Sequence, residues 1–100
     1  MSELQELLTL LRNLPEVAEL QFAVKELSAA GWDEDEADRR NRECYRRSDY
    51  LRYRLDSLGI RSNSQWGEGN SWSVFLETNE RTLNGHPLPG PVIADCRQAT

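Results

Sequence analysis

Asp33 to Gly59 reads DEDEADRRNRECYRRSDYLRYRLDSLG, and its punctuation predicts one long helix. Asp33 is placed to accept the orphan N–H groups of a first turn, and Glu36, three residues on, completes a capping box. Glu34, Asp35, Glu36 and Asp38 put acid at the positive end of the helix dipole. At the far end Gly59 suits the left-handed C′ position, and Ile60 is spaced to touch Leu55 as in a Schellman motif. At about 100° per residue, Ala37, Cys44, Ser48, Leu51, Leu55 and Leu58 form one narrow stripe, the expected core face. The opposite side carries Arg39, Arg42, Arg46, Tyr50 and Tyr53.

Two further helices precede this one. Ser2 with Gln5 caps a first helix in which Leu4, Leu7, Leu8 and Leu11 repeat at helical spacing. Pro15 stops continuation through Leu14 but suits the first position of a second helix, so the two meet at a corner near Asn13. Val17, Leu20, Val24 and Leu27 give that second helix its apolar face, and Gly31 ends it, with Trp32 spaced to cover Leu27. The helices are expected over about 3–13, 15–30 and 33–58.

Beyond Gly59 the period shortens. Ser71 to Thr78 alternates Trp72, Val74 and Leu76 on one side with Phe75 on the other, which predicts a central strand. Ile60 to Trp66 is expected to pair with it through the turn Gly67-Glu68-Gly69-Asn70. Asn84-Gly85 is a strong hairpin signal, while Pro87, Pro89 and Pro91 confine the return arm to an edge or an extended connection. The expectation is an α+β chain of one domain: three N-terminal helices packed on a C-terminal antiparallel meander of three to four strands, about 60–95, with a loose tail at 96–100. Leu7, Leu11, Leu20, Val24, Leu27, Leu51, Leu55, Trp72, Val74 and Leu76 are the expected core.

The chain has 100 residues, 38% hydrophobic and 29% charged, enough for one modest core and without an apolar run that would span a membrane. Glu3, Gln5 and Glu6 interrupt the first leucines, so no secretory signal is read and a cytoplasmic address is expected. Cys44 and Cys96 lack metal-like spacing and are expected to be free thiols. The net charge of −5 conceals a polarity. Residues 1–38 hold ten acids against Arg12 and Lys25, and residues 39–61 hold eight arginines against three acids.

Catalytic chemistry has little to stand on. The single histidine, His86, sits in a turn sequence, and a set such as Ser73, His86 and Asp95, or Cys44 with His86, is recognised only by geometry. Asp33, Asp35 and Asp38 lack the glycine and terminal glutamate of a calcium loop. No glycine-rich loop leads from a strand into a helix to hold phosphate. No catalytic, metal or cofactor residue is therefore assigned.

The Arg/Tyr strip is the candidate binding surface. Asp35–Arg39, Glu36–Arg40, Asp38–Arg42 and Glu43–Arg47 are i, i+4 pairs that account for much of its charge locally. Arg46, Arg52 and Arg54 have no acid four residues before them, and tyrosine with arginine is the composition of binding hot spots. The function expected is a small non-enzymatic protein-binding module that regulates or inhibits a macromolecular partner, such as a nucleic-acid-handling complex. Its contacts would be Arg39, Arg42, Arg46, Tyr50 and Tyr53 against an acidic protein surface. Alternatively, the acidic N-terminal half would fill a basic groove on the partner. A further alternative is direct nucleic-acid binding through the same face and the 67–70 hairpin tip, against which the net acidity weighs.

Overall fold

A computed structural model describes residues 2–29, 31, 33–67 and 71–97. The described elements run α1 (Glu3–Arg12), α2 (Pro15–Ser28), α3 (Glu34–Ser57), β1 (Ser62–Gly67), β2 (Ser71–Arg81) and β3 (Pro87–Cys96). The strands form one antiparallel sheet in the order β1-β2-β3, so the chain is α+β with three helices followed by three described strands.

The boundaries arise from the local chemistry. Ser2 Oγ accepts from Gln5 N (3.2 Å) and Asp33 Oδ1 from Glu36 N (3.1 Å), so α1 and α3 start at side-chain caps. At the end of α3, Ile60 N donates to Leu55 O (3.0 Å) and Gly59 N to Asp56 O (2.9 Å). Those are the two bonds of a Schellman motif, made with Gly59 at φ 77. Helix α2 ends at Ser28, earlier than expected, with Ala29 as its C-cap. Trp32 and residues 68–70 lie outside the described residues, and with them the expected Trp32–Leu27 cover and the tip of the first hairpin.

Register follows the alternation. Trp66 faces Trp72 and Ser64 faces Val74 across β1–β2, and Trp72 and Val74 are buried. Strand β2 runs past the expected Thr78 to Arg81, and in the turn that follows Gly85 sits at φ 82 with its N–H donating to Thr82 O (3.0 Å). The prolines lie on β3, an edge strand, and the β2–β3 register shifts three times. A Cβ on Gly90 would stand 2.5 Å from Leu76 O, so only glycine lets the strands approach there. Cys96, the first residue of the expected tail, is instead the buried end of β3; residues 98–100 of that tail lie outside the described residues.

The core joins Leu20, Val24 and Leu27 of α2, Cys44, Leu51 and Leu55 of α3, and Trp72, Val74 and Ile93 of the sheet. Three expectations shift. Helix α1 is anchored at β3, where Arg12 Nε donates to Val92 O (3.0 Å), and it buries Leu8 and Leu11 while Leu7 stays on its open side. Leu58, the C-cap, lies beyond the covered length of α3 and is 50% exposed. Leu76 is only partly buried, packed at the margin of the cluster. In return Ile93, Ala94 and Cys96 of the proline-rich arm are all buried.

Candidate functional site: the outer face of helix α3

Helix α3 has three sides with different roles. The side around Cys44, Ser48, Leu51 and Leu55 is buried. One flank meets α2 through three arginines at heptad spacing: Arg40 pairs with Glu26 (3.7 Å), Arg47 with Glu19 (3.1 Å) and Arg54 with Glu16 (3.7 Å). The falling numbers on α2 against the rising ones on α3 show the helices running antiparallel. Arg40 and Arg47 also pair within α3, with Glu36 (2.6 Å) and Glu43 (2.7 Å). A cleft of about 190 Å³ lies along this seam, with the exposed Phe22 at its mouth and Arg40 and Arg47 among its walls.

That seam bears on two sequence readings. Arg54, which has no acid four residues before it, takes Glu16 of α2 instead. Glu16, Glu19 and Glu26 are spent on α3, so the acidic N-terminal half is not one free surface. Each of these pairs is at least partly open to solvent and contributes a fraction of a kcal/mol by itself.

The third side, opposite the core, is the Arg/Tyr strip, and the structure brings all five residues to one uncovered face. Arg39 pairs with Glu36, Arg42 with Asp38 (3.3 Å) and Arg46 with Glu43 (3.3 Å). Arg39 thus takes the acid three residues back rather than Asp35, and Arg46 finds one at the same spacing. Tyr50 is 45% and Tyr53 68% exposed, and the Arg47 guanidinium lies 5.9 Å from the Tyr50 ring centroid. The face is therefore locally neutralised, with two tyrosines as its exposed aromatic groups.

The groups named for catalysis do not assemble. Ser73 and Asp95 are cross-strand partners, whereas His86 stands beyond the far end of β2, eight residues or about 25 Å along the strand from Ser73. Cys44 is buried and His86 exposed. Both cysteines are free thiols. Burial pushes Cys44 up to about 11 and Cys96 up to about 12, each with a smaller push from a neighbouring acid, Glu43 and Asp95 respectively. Among the described residues no three His, Cys, Asp or Glu side chains converge to hold a metal ion. No described helix is long and apolar enough to cross a membrane.

A second exposed aromatic group was not singled out from sequence. Trp72 is buried, Tyr45 meets it edge-on at 5.4 Å, and Trp66 leans on it at 6.1 Å. Tyr45 and Trp66 are themselves about half exposed. The only sequence signal was two tryptophans six residues apart across a turn, which does not tell which of them is covered. Compared with protein-family models, with curated proteins and with solved structures, the chain matches none.

Proposed function

We propose that this chain is a small protein-binding module that acts without catalysis, regulating or blocking a macromolecular partner through the outer face of α3. The observation that carries this reading is the placement of Tyr50 and Tyr53, exposed on a rigid helix among Arg42, Arg46 and Arg39. Such a face offers large, nearly rigid contact area with planar donors around it. Because Arg39, Arg42 and Arg46 already have carboxylates beside them, the face lacks the uncompensated positive field that attracts phosphates at long range. A protein surface that stacks on the tyrosines and exchanges partners with the guanidinium forks suits it better.

The test is affinity capture from native extract, with and without nuclease, using the wild type beside Tyr50→Ala/Tyr53→Ala and Arg42→Glu/Arg46→Glu. One protein complex should be retained after nuclease by the wild type and be depleted about tenfold or more by either double variant, the effect of a few hot-spot contacts. Variants that remain folded by circular dichroism and still capture the complex in full would remove the site. Short DNA or RNA binding by anisotropy, falling steeply with salt, would replace the reading with a nucleic-acid one.

A further inference from the structure

The sheet ends differently at its two edges. On β3, Pro87, Pro89 and Pro91 carry no N–H and the register is irregular, both of which discourage another strand. On β1, Ser62 to Gly67, there is neither a proline nor a charged side chain. Glu77 N donates to Arg61 O (3.1 Å), which makes Arg61 opposite Glu77 a hydrogen-bonded pair. By antiparallel alternation Asn63, Gln65 and Gly67 then bond to β2, and the main-chain groups of Ser62, Ser64 and Trp66 point outward.

Two of those outward groups are closed from within. Ser64 N donates to Asn63 Oδ1 (2.9 Å), and Ser62 O faces Arg52 Nη2 at a long 3.5 Å. Ser64 C=O and both main-chain groups of Trp66 are left without such a side-chain closure among the described residues. The edge is thus shielded where β1 begins and open where it ends, beside an indole that is 54% exposed.

The same stretch is overhung by the flank of α3 that faces β1, with a recess at each end. One, about 400 Å³, lies between Asp49, Arg52 and Asp56 of α3 and Arg61 and Ser62. The other, about 250 Å³, lies between Ala37, Asp38 and Asn41 of α3 and Trp66. Asp38 is taken by Arg42. Asp49, Asp56 and Glu77, by contrast, have no cation within ion-pair distance among the described residues, and against these three carboxylates the recess holds two arginines, Arg61 and Arg52, the latter turned to Ser62 O. An occupant of this edge therefore meets free main-chain groups, an aromatic wall and a surplus of carboxylate.

We propose that the open edge of β1 is a strand-addition site for an extended segment of a partner protein. The segment carries basic side chains toward Asp49 and Asp56 and an apolar or aromatic one beside Trp66. Main-chain pairing supplies the attraction and the alternate side chains supply the selectivity, as in other recognition by β-augmentation. A second copy of this chain fits less well. Two-fold pairing about Ser64 would set its internally bonded N–H against itself and bring the unpaired carboxylates of both copies to one seam. The site borders the Arg/Tyr strip at Tyr53, which also lines the larger recess, but its pairing groups lie on β1 and do not depend on the strip.

The probes are the peptide acetyl-Lys-Thr-Lys-Thr-Phe-Thr-amide and its reversed sequence, titrated into the full chain and followed by amide NMR. One of them should shift the Ser64 and Trp66 amides saturably and slow hydrogen exchange of the Trp66 N–H. N-methylation of its edge-facing amides should abolish this. Replacing its two lysines by glutamate should weaken binding about tenfold, the equivalent of two exposed ion pairs. Ser64→Pro, which puts a ring on the edge outside the β1–β2 ladder, should prevent binding. Should that variant fail to fold, Asp49→Lys/Asp56→Lys decides through the same tenfold loss. No saturable shift at millimolar peptide overturns the proposal, as does equal binding of the N-methylated peptide, which places the contact on the indole alone. A dimer seen by sedimentation whose Trp66 N–H is already protected without peptide overturns it too, by giving the edge to a second copy.

Discussion

Replacing Leu51 by alanine tests the burial of α3 directly, because Leu51 and Leu58 lie on one stripe of the sequence but differ in the fold. Leu51 is 0% and Leu58 50% exposed. Leu51→Ala removes three carbons from full burial, about 2 kcal/mol of transfer free energy. Incomplete collapse of the buried cluster that Leu51 shares with both helices and the sheet adds a cavity term of about 1 kcal/mol, for a total near 3. Leu58→Ala loses about half the transfer term and opens no enclosed void, so about 1 kcal/mol is expected. In urea unfolding followed by circular dichroism, with a slope of about 1.2 kcal/mol/M, the midpoint should fall by about 2.5 M for Leu51→Ala and under about 1 M for Leu58→Ala. Equal shifts, or a larger one for Leu58→Ala, would show that α3 is rotated about its axis relative to the arrangement described.

The remaining outcomes follow from the buried polar groups. Ser48 Oγ is enclosed in the core without a hydrogen-bond partner among the described residues, so Ser48→Ala should raise stability by about 1 kcal/mol through relief of an unmet desolvation cost; a comparable loss would reveal a partner for the hydroxyl. The thiols set a pH dependence whose direction is defined. Both folded values, about 11 and about 12, lie above the ordinary 9.0, so from about pH 9 upward the unfolded chain gives up thiol protons that the folded chain keeps. Stability attributable to Cys44 and Cys96 is intact below pH 9 and is lost as pH rises through the folded values. Cys44→Ala/Cys96→Ala should flatten that limb of a stability–pH curve, and at pH 8 the native thiols should alkylate with iodoacetamide far more slowly than in urea.

The helices, the N-cap of α1 and both ends of α3 were legible in the sequence because caps and periodicity are local, whereas α2 stops at Ser28, short of the expected end. Asp33 with Glu36, and Gly59 with Ile60, need only neighbours a turn away, and each makes the bond its spacing implies. The central strand was legible for the same reason, since Trp72 and Val74 alternate with polar residues and the alternation survives in the sheet. The candidate strip was placed by angle alone, and 3.6 residues per turn suffices to put Arg39, Arg42, Arg46, Tyr50 and Tyr53 opposite Leu51 and Leu55. What the arginines pair with was only half legible, because an i, i+4 acid can be counted and an acid on another helix cannot.

Charge shows the limit most clearly. The acidic first third and basic middle of the chain are visible as composition, and read alone they suggest two surfaces for outside partners. Packing α2 antiparallel against α3 turns part of that polarity inward, as Glu26, Glu19 and Glu16 meet Arg40, Arg47 and Arg54. Leu7 and Leu58 show the same for apolar stripes: a periodic pattern marks a helix face, but only the neighbouring element decides how much of that face is covered. The sequence by itself determined the three helices, the N-cap of α1 and the caps of α3, the central strand and the Arg/Tyr face, all set by dihedral preference and spacing within a few residues. Only the tertiary structure decided which tryptophan is buried, which charges are satisfied and which sheet edge stays open, because each depends on contacts between segments far apart in the chain.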